Sequence, residues 1–412
     1  MTDINTAATA SGKTVEGGKG IWARNGKGLT IGVIAGGALA IIGIVCWGVQ
    51  LSGGMIQTGM RNFDSWGLYI TSFMFFVGLS AGGLIISSIP NAFGIEGFGG
   101  ISKVAIWTSI CSTVAAVGFI IVDLGGPARI WELFAFSNLM SPLMWDVIVI
   151  TTYFILSCVY LWAYLRHEAD KMSHLAIRVI SVVALVCAVL VHSVTAWIFG
   201  LNAGREMWHT ALLAPWFVSS ALVCGTALVL IVVIALRRVG YLSVEERHVV
   251  KMAKLLGAFT CVDLYFFACD LLTGAFPGGA GLEVAQMIVA GPLAPFFWFE
   301  VVGCAVAIVI CFAPKLRTAP LLVVAGALAI AGVFCKRVQI LEGGFQIPNI
   351  DLPGVMTEHT ITNAGGTLAQ AYQGLVYLPT GLEIAISIGV IGLAFALLCA
   401  GLKWLPLKPA ED

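Results

Sequence analysis

Charged residues are scarce in this 412-residue chain: only 11% are Asp, Glu, Lys or Arg, against 59% hydrophobic. A soluble domain carries about 25% charged residues, so the shortage excludes a water-soluble globular protein and makes lipid the solvent. An excess of positive charge is also missing, with 22 basic against 22 acidic side chains. No basic cluster interleaves with aromatics, and nucleic acid is therefore excluded as a partner. Cysteine is present eleven times but never as a CxxC pair, and Cys46, Cys111, Cys158, Cys187, Cys224, Cys304 and Cys399 sit inside apolar runs. An iron–sulfur cluster needs closely spaced thiolates; these residues read as small buried hydrophobes instead. Histidine is scarce as well. Of six, His167, His174, His209, His248 and His359 read as peripheral and only His192 falls deep in an apolar run. A bis-histidine haem would need two deep histidines on facing helices, so the expectation is a chain without haem, iron–sulfur cluster or other redox metal.

What the sequence has in abundance is apolar runs long enough, at about 20 residues, to cross a hydrocarbon core. They fall near 29–49, 66–89, 101–122, 142–165, 175–199, 211–236, 250–272, 289–313, 319–341 and 381–405. The fold class expected is all-α integral membrane with ten transmembrane helices. Residues 1–28 are polar and lack an apolar core before a cleavage site, which reads as a cytoplasmic tail and not a signal peptide. With that terminus inside, Lys and Arg concentrate on the same face, as the positive-inside rule requires. The opposite face holds Arg61, Arg129, Arg205 and the pair Lys336 and Arg337. Both termini are thus expected in the cytoplasm of a bacterial inner membrane.

Landmarks recur in the same order along the chain, which suggests an internal repeat. Arg61 and Trp66 open one series and Arg205 and Trp216 the other; Asp123-Leu124-Gly125 is matched by Asp270-Leu271 with Gly274 close behind. Ser141-Pro142-Leu143 leading to Trp145 and Asp146 is matched by Gly291-Pro292-Leu293 leading to Trp298 and Glu300. Proline suits the first turn of each following helix. The organisation expected is a first flanking span at 29–49, four-helix bundles at 66–199 and 211–341 as parallel repeats, an outer loop at 342–380, and a last span and tail at 381–412.

An ionisable group inside a span costs on the order of 2.5–3.5 kcal/mol and is a functional hypothesis by default. His192, Asp263 and Glu300 lie well inside their spans; Asp123, Asp146, Asp270 and Glu383 lie near the outer surface. Arg129, Glu132, Ser141, Arg205, His209, Tyr377 and Thr380 fall in the adjoining loops. Such a mixture of apolar walls, hydrogen-bond donors and proton carriers suits a quinone. Asp123, His192 and Asp146 are the candidate catalytic groups; Trp66, Tyr69, Arg129, Glu132, Ser141 and Trp145 the candidate quinone-binding ones. Asp263, Glu300, Asp270 and Glu383 are candidates for a proton path. The plainer alternative for Arg129 and Glu132, three apart, is a surface ion pair.

Three stretches resemble the NrfD/PsrC family of respiratory membrane subunits: Trp66 to Ile70 running on to Gly78-Leu79-Ser80-Ala81-Gly82-Gly83, Asp123 to Trp131, and Asn138 to Asp146. Tyr377-Leu378-Pro379-Thr380-Gly381-Leu382-Glu383-Ile384 resembles the last-span motif of its ten-span branch, with threonine where that motif has serine. Within the branch the likeness runs towards the membrane subunit of menaquinone reductase complexes. The resemblance implies a subunit that binds quinone, expected to be menaquinone, and exchanges electrons with an iron–sulfur partner and further periplasmic redox subunits on the outer face. It leaves proton translocation open. A secondary ion or solute transporter is the competing class, since parallel repeats and midplane carboxylates occur there too.

Overall fold

The computed structural model describes residues 26–61, 64–93, 99–346 and 377–407. Among them the regular structure is entirely helical. Ten helices are long and apolar enough to cross a membrane, in agreement with the ten expected spans. They are α1 (Lys27–Gly53), α2 (Leu68–Phe93), α3 (Gly99–Asp123), α5 (Pro142–Glu168), α6 (His174–Gly200), α7 (Leu213–Arg238), α8 (Glu246–Ala275), α10 (Ala294–Phe312), α11 (Ala319–Gln346) and α12 (Gly381–Trp404). Two shorter helices, α4 (Glu132–Ala135) and α9 (Ala280–Val289), lie between spans. The expected tail before residue 26, most of the 342–380 loop with His359, and the last five residues fall outside the described residues.

Local signals place several helix starts. Pro142 occupies the first turn of α5, where its missing N–H costs nothing. Ser173 caps α6 by accepting from the Ala176 amide at 3.3 Å. Thr380 and Glu383 form a reciprocal capping box on α12, satisfying two backbone donors that lipid could not.

In the first half, α2 packs on α3 and α6, and α5 packs on α3 and α6, closing a ring of four. In the second half, α7 packs on α8 and α11, and α10 packs on α8 and α11, closing another. The rings meet along α2 and α7, flanked by α6 against α7 and α11 against α2. At this seam a Cβ on Gly82 would lie 1.9 Å from the Ala221 carbonyl oxygen, and one on Gly225 would lie 2.4 Å from Gly82. Only backbone fits there, the small-residue crossing that brings membrane helices together.

Helices α1 and α12 form an antiparallel pair beside α3, with Gly43 against Gly389 and Gly36 against Gly392. Ile31, Ile34, Ile41, Ile42, Ile44 and Val45 on α1 are exposed, as a lipid-facing surface should be. Because α1 begins where α12 ends, one face of the molecule collects both; it is the proximal face below, and the opposite one the distal face.

One expectation fails. Lys336 and Arg337 do not lie on the outer face: α11 continues through them to Gln346, and they are 1% and 0% exposed. Carboxylates on α8 and α10 neutralise Lys336, while Ser220 and His192 accept from Arg337, so the span continues past both cations and beyond its expected end near 341. The eighth span is also shorter than 289–313, because Ala280–Val289 forms a separate helix before α10 begins at Ala294.

Candidate functional site

Two groups of buried polar residues stand out, one at the distal end of the first bundle and one at mid-depth where the bundles meet. The distal group is built on Glu383 in the first turn of α12. Its carboxylate accepts from the backbone amides of Gly59 at 2.7 Å and Thr380 at 2.8 Å, and from the Tyr377 hydroxyl. Tyr377 in turn accepts from the Leu68 amide at 2.9 Å. Beside it, Tyr69 donates to Gln50 Oε1 at 2.6 Å, and Gln50 Nε2 donates to the Val122 carbonyl at 2.9 Å. These bonds tie α1, α2, α3 and α12 together at one depth.

Asp123, at the end of α3, lies within electrostatic range of Glu383, and its Oδ1 is buried with no hydrogen-bond partner among the described residues. Glu342 on α11 lies within range of Glu383 and of Asp64. Both are buried, at 4% and 5% exposed. Burial pushes the Asp64 carboxyl above its ordinary value, with Arg205 opposing. Burial, then the bond to Glu383, likewise raises Tyr377.

Over this end lies an aromatic cluster. Trp66 stacks on Trp208 with centroids 6.4 Å apart and meets Phe199 and Phe345 edge-on. Arg205 sits 5.9 Å from the Trp208 ring and 5.2 Å from the Phe345 ring, and donates to the Gly344 carbonyl at 3.0 Å.

The mid-depth group centres on the two lysine and arginine side chains displaced from the expected outer face. Neighbours on α11, they point into different surroundings. Lys336 reaches into the second bundle, bonding Asp263 on α8 and lying 3.2 Å from Glu300 Oε1 on α10. Ser219 donates to Asp263 Oδ1 at 2.9 Å and Gln339 to Glu300 Oε2 at 2.8 Å. Arg337 turns to the seam, donating to Ser220 Oγ at 2.6 Å and to His192 Nε2 at 3.0 Å, with its guanidinium 3.8 Å from the Phe217 ring. An arginine donor requires that Nε2 accept, which leaves the imidazole proton on Nδ1. Arg337 Nε and Nη1 have no hydrogen-bond partner among the described residues. Counting 1.5 Å per residue from the distal ends of their helices, these groups lie roughly 10–18 Å deep, around the middle of a hydrocarbon core about 30 Å thick.

The candidate residues therefore separate. Asp123 and Tyr69 join Glu383 in the distal group; His192, Asp263 and Glu300 join the mid-depth one. Asp146 is 3% exposed and accepts from Thr195 Oγ1 at 2.6 Å, bridging α5 to α6 apart from both. Asp270 accepts from Thr210 at 2.8 Å in the second bundle. Arg129 and Glu132 pair with each other on the surface at 2.8 Å. Trp145 donates to the Leu139 carbonyl at 2.6 Å, and Ser141 precedes α5 without a side-chain cap. Lys336, Arg337, Gln50 and Glu342 were missed as site residues. The signal for the cations was in the carboxylates, since Asp263 and Glu300 deep in two spans demand buried partners of opposite charge.

Comparison with known proteins agrees with this architecture. The family model described as polysulphide reductase, NrfD, matches residues 56–349. A protein of Halobacterium salinarum, provisionally named as the membrane subunit of a dimethyl sulfoxide reductase, is 34% identical over 92% of this chain and 91% of its own. The Hdr-like menaquinol oxidoreductase integral membrane subunit of Archaeoglobus fulgidus is 28% identical over 85% and 87%. The menaquinone reductase integral membrane subunit of Nitratidesulfovibrio vulgaris is 22% identical over 89% and 90%. The ten apolar helices and the match over most of the chain lead to one conclusion: this multi-pass integral membrane protein belongs to the polysulphide reductase NrfD family.

Proposed function

We propose that the chain is the quinone-reactive membrane subunit of a respiratory oxidoreductase complex, with its distal face outward. The observation that carries this reading is the distal group: Asp123, with a buried oxygen lacking any partner among the described residues, lies beside the Glu383–Tyr377 pair, and Glu342 lies within range of the same Glu383 and of Asp64. Carboxyls gathered at one depth beside apolar walls suit exchange of the protons that accompany quinone oxidation and reduction. The relatives named for menaquinol or menaquinone support menaquinone as the substrate. Quinone supplies the redox chemistry; Tyr69, Trp66 and the neighbouring aromatic rings supply flat apolar walls, and Asp123 the proton acceptor or donor. Asp146 and Trp145 sit at the start of α5 in the adjoining part of the same bundle. His192 lies deeper, linked to Arg337, and its role falls to the connection between the two groups. An iron–sulfur subunit and further periplasmic redox subunits would dock on the distal face, where Arg129, Glu132 and Ser141 belong to the exposed or half-buried loop. Lys and Arg on loops and exposed helix ends gather on the proximal face, including Arg166, Lys171, Arg237, Arg238, Arg247 and Lys315. That distribution supports a cytoplasmic proximal face.

The test is quenching of tryptophan fluorescence by a menaquinone analogue added to the purified chain, with Asp123→Asn and His192→Ala alongside. Saturable quenching lost in Asp123→Asn supports the reading; absence of binding to well-folded wild type sinks it.

The mid-depth group supports a second element, proton translocation coupled to electron transfer. Charged groups inside spans mark proton relays in pumps, and here they connect the second bundle to the seam. Asp263→Asn in proteoliposomes containing the whole complex is expected to abolish the membrane potential. An unchanged potential with electron transfer intact would remove the coupling role. A solute transporter would also place charges at this depth, but the family relationship favours the redox reading. We further propose that the two rings are copies of one unit, supported by the equivalent packing of α2, α3, α5, α6 and α7, α8, α10, α11.

A further inference from the structure

The second bundle holds a cavity of about 280 Å³ at its distal end, close to the lower limit of roughly 300 Å³ for small-molecule pockets. The end of α8, helix α9 and the loop before α7 enclose it. Its walls are mixed. Val284, Ala285 and Ile288 are apolar, whereas Asp270 and Thr210 are polar. Trp216 and Phe267 also line it, their rings stacked at 5.0 Å and inclined by only 24°. Trp216 is 3% exposed, yet its indole N–H has no hydrogen-bond partner among the described residues. A buried donor left unpaired is costly, and a small rotation of the ring would offer it to a carbonyl in the cavity. Asp270 uses one oxygen for Thr210 and has no other partner among the described residues, so it can accept from a hydroxyl. Phe276 and Leu272, 91% and 72% exposed, lie at the same end of α8, where an apolar tail could pass into lipid.

We propose that this cavity is a second binding site in the chain, taking the ring of a naphthoquinone or naphthoquinol. The inference rests on the quinone reading above but concerns a different bundle. Each feature has its counterpart in such a ring: the flat stacked wall matches a planar bicycle, the indole N–H a carbonyl, the Asp270 carboxylate a quinol hydroxyl, and the volume a ring without its tail. The cavity adjoins the ion cluster through one aromatic layer, since Lys336 Nζ lies 4.7 Å from the Trp216 ring and 5.8 Å from the Phe267 ring. No electron transfer is assigned to it.

The experiment is the binding stoichiometry of 2-methyl-1,4-naphthoquinone on the full chain in lipid nanodiscs, by equilibrium dialysis. Ala285→Trp fills the cavity, and Trp216→Phe removes the indole donor while keeping a flat ring. Thermal unfolding checks that each variant is folded, and Asp123→Asn is the control for the first bundle. Two equivalents are expected for wild type and one for Ala285→Trp. Affinity of the remaining cavity equivalent in Trp216→Phe should fall about threefold to tenfold, the worth of one hydrogen bond. A single equivalent that disappears in Asp123→Asn and ignores both cavity variants would overturn the second site alone. A single equivalent lost in Ala285→Trp and retained in Asp123→Asn would uphold the cavity and overturn the first-bundle assignment. Absence of binding to wild type would overturn both. Should Ala285→Trp fail to fold, Trp216→Phe decides: unchanged affinity for both equivalents removes the proposal.

Discussion

The two four-helix rings pack alike but fill their centres differently. In the first, Tyr153 on α5 lies within 3.0 Å of Ser80 on α2 and 2.8 Å of Ser109 on α3, with Thr113 bonded to Ser80 at 2.6 Å. In the second, the corresponding region holds Asp263, Glu300 and Lys336, with Ser219 as the hydroxyl contribution. One centre is neutral and self-satisfied, whereas the other is an ion cluster with buried atoms left unpaired. The lesson is that a single helical frame can serve as a rigid scaffold in one half and as a store of charge in the other. Neutral hydroxyls satisfy each other cheaply in hydrocarbon, while charges persist there only when each has a partner.

The strongest way to break this contrast is Lys336→Met, which strands Asp263 and Glu300 together. Removing one member of a buried ion pair costs about 3–5 kcal/mol, so thermal unfolding in detergent should show a large loss of stability. Adding Asp263→Asn and Glu300→Gln should recover much of it. A single variant as stable as wild type would mean that the cluster is hydrated and not a dry ion pair.

Next in size is the seam. Gly82→Leu places a side chain where the Ala221 carbonyl stands, and overpacking of this kind costs about 1–3 kcal/mol or more. Hydrogen exchange should show α2 and α7 losing protection together; loss in one bundle only would show that the rings do not depend on their contact.

A smaller effect is expected from Tyr153→Phe. It removes the hydroxyl that joins α5 to α2 and α3, at about 1 kcal/mol, and should leave any membrane potential of the complex untouched. A lost potential would mean that the hydroxyl centre also carries protons.

The smallest effect is a pH dependence at Asp64, outside the spans at the approach to α2. Burial raises its carboxyl in the folded chain above the unfolded value of about 3.9. Folding therefore favours the protonated form: its contribution is present below that unfolded value and is lost as pH rises through the folded one. Asp64→Asn should thus gain stability relative to wild type as pH increases from about 4 towards neutrality. An unchanged difference across that range would show that Arg205 fully compensates the carboxylate.

Much of this was legible in the residues. Ten apolar runs gave ten crossing helices because lipid tolerates no unsatisfied backbone and so forces each run to be helical. Pro142 announced a helix start, and the deep carboxylates Asp263 and Glu300 announced a charged interior. Tyr377 and Thr380 were recognisable near Glu383 because the motif is local, three to six residues long. The misplacement of Lys336 and Arg337 has the opposite origin. Hydropathy judges each span alone, and a charge looks expensive until its partner on another span is known. Helix α11 is stable through Lys336 only because α8 and α10 bring carboxylates to it.

The sequence by itself determined the solvent, the number of crossings, the family and the presence of ionisable groups in the membrane, since these follow from hydrophobic length and local pattern. The tertiary structure alone decided which groups meet. It assigned Asp123 to Glu383, His192 to Arg337 and Asp263 to Lys336, left Arg129 with Glu132 on the surface, and opened the cavity beside Trp216. Contacts between spans depend on helix rotation and crossing, which small residues such as Gly82 and Gly225 fix through backbone approach and which no single span encodes.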